Sequence, residues 1–98
     1  MKILAIDIGY HNMGLVLAES LTGPSITIEY MKKVNLEDYK YLKTNDFVDL
    51  VPLFVEDHQH IFDAAEKILI ERQPRVDSRI LRFFYTTCSE IRLNLFNL

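Results

Sequence analysis

The sequence predicts an α/β fold in which three antiparallel strands are followed by a helix and then by a fourth strand lying parallel to the first. Three observations carry this expectation. The run Lys2 to Ile8 is almost continuously apolar and β-branched, as in a strand from the middle of a mixed sheet, buried on both faces. Phe47, Leu50, Val51, Phe54, Ile61, Phe62 and Ala65 approximate the spacing of an amphipathic helix. A second short apolar run, Ile68 to Ile70, is closed by Glu71-Arg72-Gln73-Pro74, where the proline ends ladder pairing.

Between these landmarks the elements follow in order. Gly9 to Asn12 carries turn chemistry, and Met13 to Ala18 resumes an apolar run, so the first two strands form a hairpin. Gly23-Pro24 breaks the chain before Ser25 to Val34, where Ile26, Ile28 and Tyr30 alternate with polar residues as on a half-exposed third strand. Residues 35 to 44 are charged and tyrosine-rich without a clear period, which reads as a loop with at most one helical turn. The helix is expected from about Leu50 to Ala65, with Asp49 as N-cap and Pro52 tolerated in the first turn. A strand, meander, helix, strand order lets the last strand lie beside the first and parallel to it.

That juxtaposition matters for two acidic residues. Asp7 is the one charged residue within Ile3 to Ile8, and an unpaired carboxylate buried there costs several kcal/mol, on the order of what a small domain can spare. Glu71 ends the other apolar strand. If the strands are neighbours, the two carboxylates come within reach of one hard cation, magnesium or manganese. On spacing alone a plainer alternative stands equally: Asp7 caps the turn around Gly9, and Glu71 pairs with Arg72 or a lysine.

The segment Ile3-Leu4-Ala5-Ile6-Asp7-Ile8-Gly9-Tyr10-His11-Asn12-Met13-Gly14 resembles the first-strand signature of RuvC-like Holliday junction resolvases, especially the poxvirus and large-DNA-virus branch and its mitochondrial relatives. Ile68 to Pro74 resembles the second motif of the same family. An Asp-x-Gly hairpin alone also opens the sugar kinase, actin and Hsp70 superfamily; the pair of motifs is the more specific signal. The resemblance covers residues 1 to 74. It implies an RNase H-like nuclease domain that resolves four-way DNA junctions as a homodimer in recombination, repair or genome-concatemer resolution, with Mg²⁺ or Mn²⁺ held by Asp7 and Glu71. It also implies a viral replication site in the host cell. Asn12 is expected to brace the turn beside the site, and Arg72 and Gln73 to touch a DNA phosphate, although Arg72 serves equally as a strand-end partner for an acidic neighbour. Two rivals are a fragment of an actin-like ATP-binding fold and a non-catalytic binding or regulatory module.

Composition narrows the classes further. Nearly half of the 98 residues are apolar, and Cys88 is the single cysteine, which excludes an internal disulfide framework and a cysteine-rich zinc site. The first residues show neither a signal-peptide pattern nor a long apolar span, so an intracellular, soluble protein without membrane or small-molecule partners is expected. A formal charge of −3 argues against DNA binding through overall charge, but not through local, metal-bridged phosphate contacts. His58 and His60 stand two apart on the expected helix, so they point to different faces and read as solvated rather than as ligands of one metal. His11 sits in the turn near Asp7, exposed or approaching the site.

After Pro74 the family pattern is lost. The relatives continue with a second proline, glycines and a helix, and carry a further acidic pair on a late helix. Here Arg75-Val76-Asp77-Ser78-Arg79 follows, and the basic residues change from lysine to arginine. Residues 75–98 are therefore expected to form a divergent tail, truncated or out of frame, with an uncertain helix whose apolar face is Ile80, Leu81, Phe83, Phe84, Ile91 and Leu95. One back-translation of Pro74 to Ser78 among those the genetic code allows, CCC CGG GTG GAT TCA, reads Pro-Pro-Gly-Gly-Phe once a single C is added. Sequencing of the locus is expected to show a shortened cytosine run followed by a resolvase-like frame with the missing acids; an intact run or no such frame contradicts the frameshift.

Overall fold

The computed structural model describes residues 1–21, 23–39, 47–72, 79, 82 and 93–97, with residues 47, 48, 71, 72 and 93–97 described by their backbone. Three strands open the chain, β1 (Lys2–Asp7), β2 (Met13–Ser20) and β3 (Ile26–Val34). A 3-10 turn follows at Leu36–Tyr39, then another at Phe47–Leu50 leading into α1 (Val51–Asp57) and α2 (Gln59–Ala64). The chain continues through β4 (Lys67–Arg72), and β5 (Leu93–Asn97) completes one sheet of order β3-β2-β1-β4-β5. β1 is central, as expected, with β2 antiparallel on one side and β4 parallel on the other.

Strand alternation divides the sheet into two faces. Leu4, Ile6, Ile8, Met13, Leu15, Leu17, Ile68 and Ile70 are buried on one face, where they share a core with Phe54, Val55, Ile61 and Phe62 from the helices. The rings of Phe54 and Phe62 meet edge to face, 6.0 Å between centroids, a favourable aromatic arrangement. The other face carries Ile3, Ala5, Val16, Ala18 and Leu69, all half-buried. The expectation that β1 is buried on both faces therefore holds for one face only.

β3 departs from simple alternation. Leu17 pairs with Tyr30 but Ala18 pairs with Ile28, so Glu29 is an extra residue in the strand, a β-bulge. The bulge turns Tyr30 toward the core and leaves Ile26, Ile28 and Met31 on the opposite face, 66%, 50% and 70% exposed. Ile26, Ile28 and Tyr30 thus do not share one face, contrary to the sequence expectation.

The single helix expected from Leu50 to Ala65 is broken at His58, which has φ −113° and ψ 22°. Its backbone N–H is shared between the carbonyls of Phe54 and Val55, while its Nδ1 lies 2.8 Å from the Phe54 carbonyl. Its carbonyl accepts from Ile61 and Phe62 and so starts α2. Competition of the imidazole for a helix carbonyl accounts for the break. His58 is 2% exposed, so the expectation that it is solvated is corrected; His60 is exposed. Leu50, not Asp49, is the N-cap residue, and no side chain caps α1; the preceding 3-10 turn continues directly into the helix. Pro52 sits in the first turn as expected.

Of the helix expected in the tail, Ile80, Leu81, Phe83, Phe84 and Ile91 lie outside the described residues, while Leu95 belongs to a strand. Arg79 and Arg82 are helical, but residues 93–97 pair with β4 as a parallel strand. The alternation Leu93-Asn94-Leu95 suits a strand beside an otherwise uncovered edge. Among the described residues no helix is long and apolar enough to cross a membrane.

The 3-10 turn at Leu36–Tyr39 is tied to α1 by the Tyr39 hydroxyl, which donates to Asp57 Oδ2 at 2.6 Å. This bond holds the Asp57 carboxyl below the ordinary aspartate value and, with burial as the larger cause, pushes the Tyr39 phenol up. A depressed carboxyl stabilises the fold above its unfolded value near pH ~4 and loses that contribution as pH falls through the folded value. A raised phenol stabilises below its unfolded value near pH ~10 and loses the contribution as pH rises further. Tyr39→Phe is therefore expected to lower Tm by a constant amount from about pH 5 to pH 9. The gap to wild type should narrow in thermal melts as pH falls below about 4 toward the depressed Asp57 value; a gap that does not narrow with acidification contradicts the coupling.

Candidate metal and DNA site

Position on the sheet is set by the way β4 enters beside β1. α2 ends at Ala65 in extended geometry, and the Glu66 N–H donates to the Lys2 carbonyl at 2.8 Å. The parallel register then runs Ile3 with Lys67, Leu4 with Ile68, Ala5 with Leu69 and Ile6 with Ile70. The pairing ends there, and Asp7 and Glu71 are the residues that follow, the last of β1 and the last but one of β4.

Asp7 is exposed. It belongs to the face opposite the core, at the carboxyl end of its strand, so the burial cost expected from its apolar neighbours in sequence does not arise. Its cross-strand partner is Gly14. A Cβ on Gly14 would stand 3.4 Å from the Asp7 Cβ, so the glycine leaves the carboxylate uncovered from that side.

The turn from β1 to β2 is tight for a different reason. A Cβ on Gly9 would come within 2.8 Å of the Asn12 carbonyl oxygen, a separation that real side chains do not adopt. The turn is anchored from outside by the Leu36 N–H, which donates to the Tyr10 carbonyl at 2.8 Å. His11 is exposed and lies 3.7 Å from the Glu37 carboxylate, pointing to that partner.

A cavity of about 450 Å³ opens over this corner, lined by Asp7, Asn12, Gly14, Val16, Met31 and Lys33 among others. Asn12 is exposed there, in the turn just before β2, next to the predicted metal ligand Asp7. Arg72 ends β4, and Gln73 lies outside the described residues. Lys33 was absent from the sequence expectations. It enters the site through pairing, since Gly14 is opposite both Asp7 and Lys33; the signal was available only to a correct three-strand register. A second cavity of about 340 Å³ is lined by Tyr39, Leu53, Glu56 and Asp57 and, among the described residues, includes none of the predicted site residues.

Among the described residues no three His, Cys, Asp or Glu side chains cluster as a metal site. The oxygen donor of Asp7 at an exposed strand end nevertheless suits a hard divalent cation. Magnesium retains several waters and needs only one or two carboxylates.

Strand order, parallel β1–β4 pairing and helices against one face make this an RNase H-like fold, and solved structures bear it out. The yeast mitochondrial Holliday junction resolvase Ydc2 matches 98% of the chain at 21% identity, with a TM-score of 0.70 over 52% of its own length. The fowlpox virus resolvase, crystallised with Holliday junction DNA, matches the whole chain at 16% identity, with a TM-score of 0.64 over 60% of its length. Thermus thermophilus RuvC matches 99% at 15% identity, with a TM-score of 0.64 over 64% of its length. The chain thus spans between half and two thirds of these resolvases. The same fold is shared, at 13% identity and a TM-score of 0.58, with the Aquifex aeolicus Ppx/GppA phosphatase, so fold likeness alone selects no chemistry. No protein-family model and no curated protein sequence matches the chain.

The two glycines beside the site predict different sensitivities. Gly9→Ala is expected to destabilise the chain by about 1–3 kcal/mol, because a backbone carbonyl must move. Gly14→Ala should stay within about 1 kcal/mol of wild type, since 3.4 Å is near ordinary contact. Urea denaturation of both variants checks the order; equal losses contradict it.

Proposed function

We propose that the chain carries part of the site of a metal-dependent endonuclease that hydrolyses phosphodiesters at four-way DNA junctions. The observation that supports this reading is the β1–β4 register, whose last pair, Ile6 with Ile70, immediately precedes Asp7 and Glu71 in their strands. In open α/β sheets ligands gather at the carboxyl ends of the strands. In this reading Asp7 and Glu71 hold Mg²⁺ or Mn²⁺ through carboxylate oxygens. Such a cation supplies Lewis-acid stabilisation of phosphate oxygens and lowers the pKa of a bound water.

The chain's own residues have simpler tasks. Asp7 orients and anchors the cation, Gly14 keeps its approach open, and Asn12 braces the turn that holds the end of β1. Arg72 and Gln73 take a DNA phosphate beside Glu71. The substrate is branched DNA in recombination, repair or concatemer resolution, at a viral replication site or elsewhere inside a cell. Two copies act together, matching the approximate two-fold symmetry of a four-way junction. The similarity to resolvases, one of them crystallised on junction DNA, supports the substrate class.

Two carboxylates hold a single cation weakly, and hydrolysis by paired metals needs more acidic ligands. The 98-residue chain is therefore expected to bind metal but to cut little. Millimolar Mg²⁺ or Mn²⁺ should raise its Tm by mass action, and Asp7→Asn should remove most of that rise. Robust Mg-dependent cutting of a junction, lost in Asp7→Asn, would show the chain to be a complete enzyme. A Tm unmoved by metal but raised by ATP would instead favour a phosphate-binding role like that of the phosphatase and kinase relatives of the fold.

A further inference from the structure

We infer that Lys33 is a second anchor of this site, holding the phosphate of a nucleic-acid strand next to the one at Asp7. The assignment rests on the nuclease reading above. Lys33, Gly14 and Asp7 form one row across three strands, because Gly14 pairs with both of the others. Residues directly opposite each other in a sheet project from the same face, so all three belong to the face away from the core. Neighbouring strands lie about 4.8 Å apart, which places the β1 and β3 backbones about 10 Å apart with only a glycine between them. Any larger residue at position 14 would fill that gap, since even a Cβ there stands 3.4 Å from Asp7.

The charge pattern identifies the ligand. Lys33 is exposed, and among the described residues no carboxylate pairs with it, whereas Lys2 is paired with Glu29 at 3.3 Å. A lysine ammonium at the rim of a cavity recruits an anion. With a cation at Asp7, the row presents two positive centres separated by an uncharged floor. The floor includes Val16 and Met31, the latter 70% exposed, which suits the apolar side of a sugar or base. A phosphodiester strand running from the end of β1 toward the β3 edge satisfies both requirements. A free nucleotide, with its phosphates together at one end, satisfies them less well.

Fluorescence anisotropy of a labelled four-way junction in Mg²⁺, titrated at several KCl concentrations, tests this with the 98-residue chain. Lys33→Gln is expected to weaken binding on the order of five- to tenfold and to reduce the salt slope by about one. Lys33→Arg should retain both. Lys67→Gln is the control for net charge: Lys67 is on the same face, but pairs with Ile3, four steps or about 13 Å along the strands from Asp7. Thermal melts of all three variants should match wild type. Intact binding by Lys33→Gln, or equal losses in Lys33→Gln and Lys67→Gln, overturns the Lys33 assignment alone. A wild-type chain that does not bind the junction in Mg²⁺ overturns the nuclease reading and this assignment with it.

Discussion

Parallel pairing of β1 with β4 is the constraint on which the rest of this molecule depends. A parallel neighbour cannot be reached by a tight turn, so the chain between β3 and β4 must cross the sheet and pack on one face. α1 and α2 do this, and their apolar side chains with those of the inner sheet face form the core. The backbone bond from Glu66 to Lys2 joins the end of that crossover to the start of the ladder. A one-residue slip would move Ile68 and Ile70 out of the core, so core burial and the register at Asp7 are maintained by the same packing.

The antiparallel side of the sheet has a different role. Its strands need only local turns, which leaves room for irregularity without loss of the core. The bulge at Glu29 uses that freedom: Tyr30 faces the core, while Met31 and Lys33 remain on the face of Asp7. Bulges are frequent at sheet edges and next to functional sites, where they re-aim side chains. An edge strand with lysines and a bulge is also protected from pairing with other chains.

The acidic formal charge of −3 is compatible with the proposed site, because local, metal-bridged phosphate contacts do not depend on overall charge. A carboxylate repels DNA until a cation binds, after which the sign of the site reverses. A phosphatase and a glucokinase share this fold with the resolvases, so the fold alone selects no chemistry. The distinction lies in which side chains stand around the end of β1.

Much of this was legible in the residues themselves. Period and composition located β1, β2 and β4 and the helical crossover, because apolar burial dominates each of those segments. Asp7, flanked by apolar residues, stood out for the same reason. The break at His58 was hidden because it depends on an imidazole finding a carbonyl one turn away, and β5 because a short alternating run competes with helical spacing. Burial of His58 and exposure of Asp7 likewise required knowing which way each element faces. By itself the sequence determined the elements and the unusual carboxylate; tertiary structure decided the bulge, the register and the row from Lys33 to Asp7. Hydrophobic period is a local property, whereas the meeting of residues 7, 14 and 33 exists only once three strands have paired.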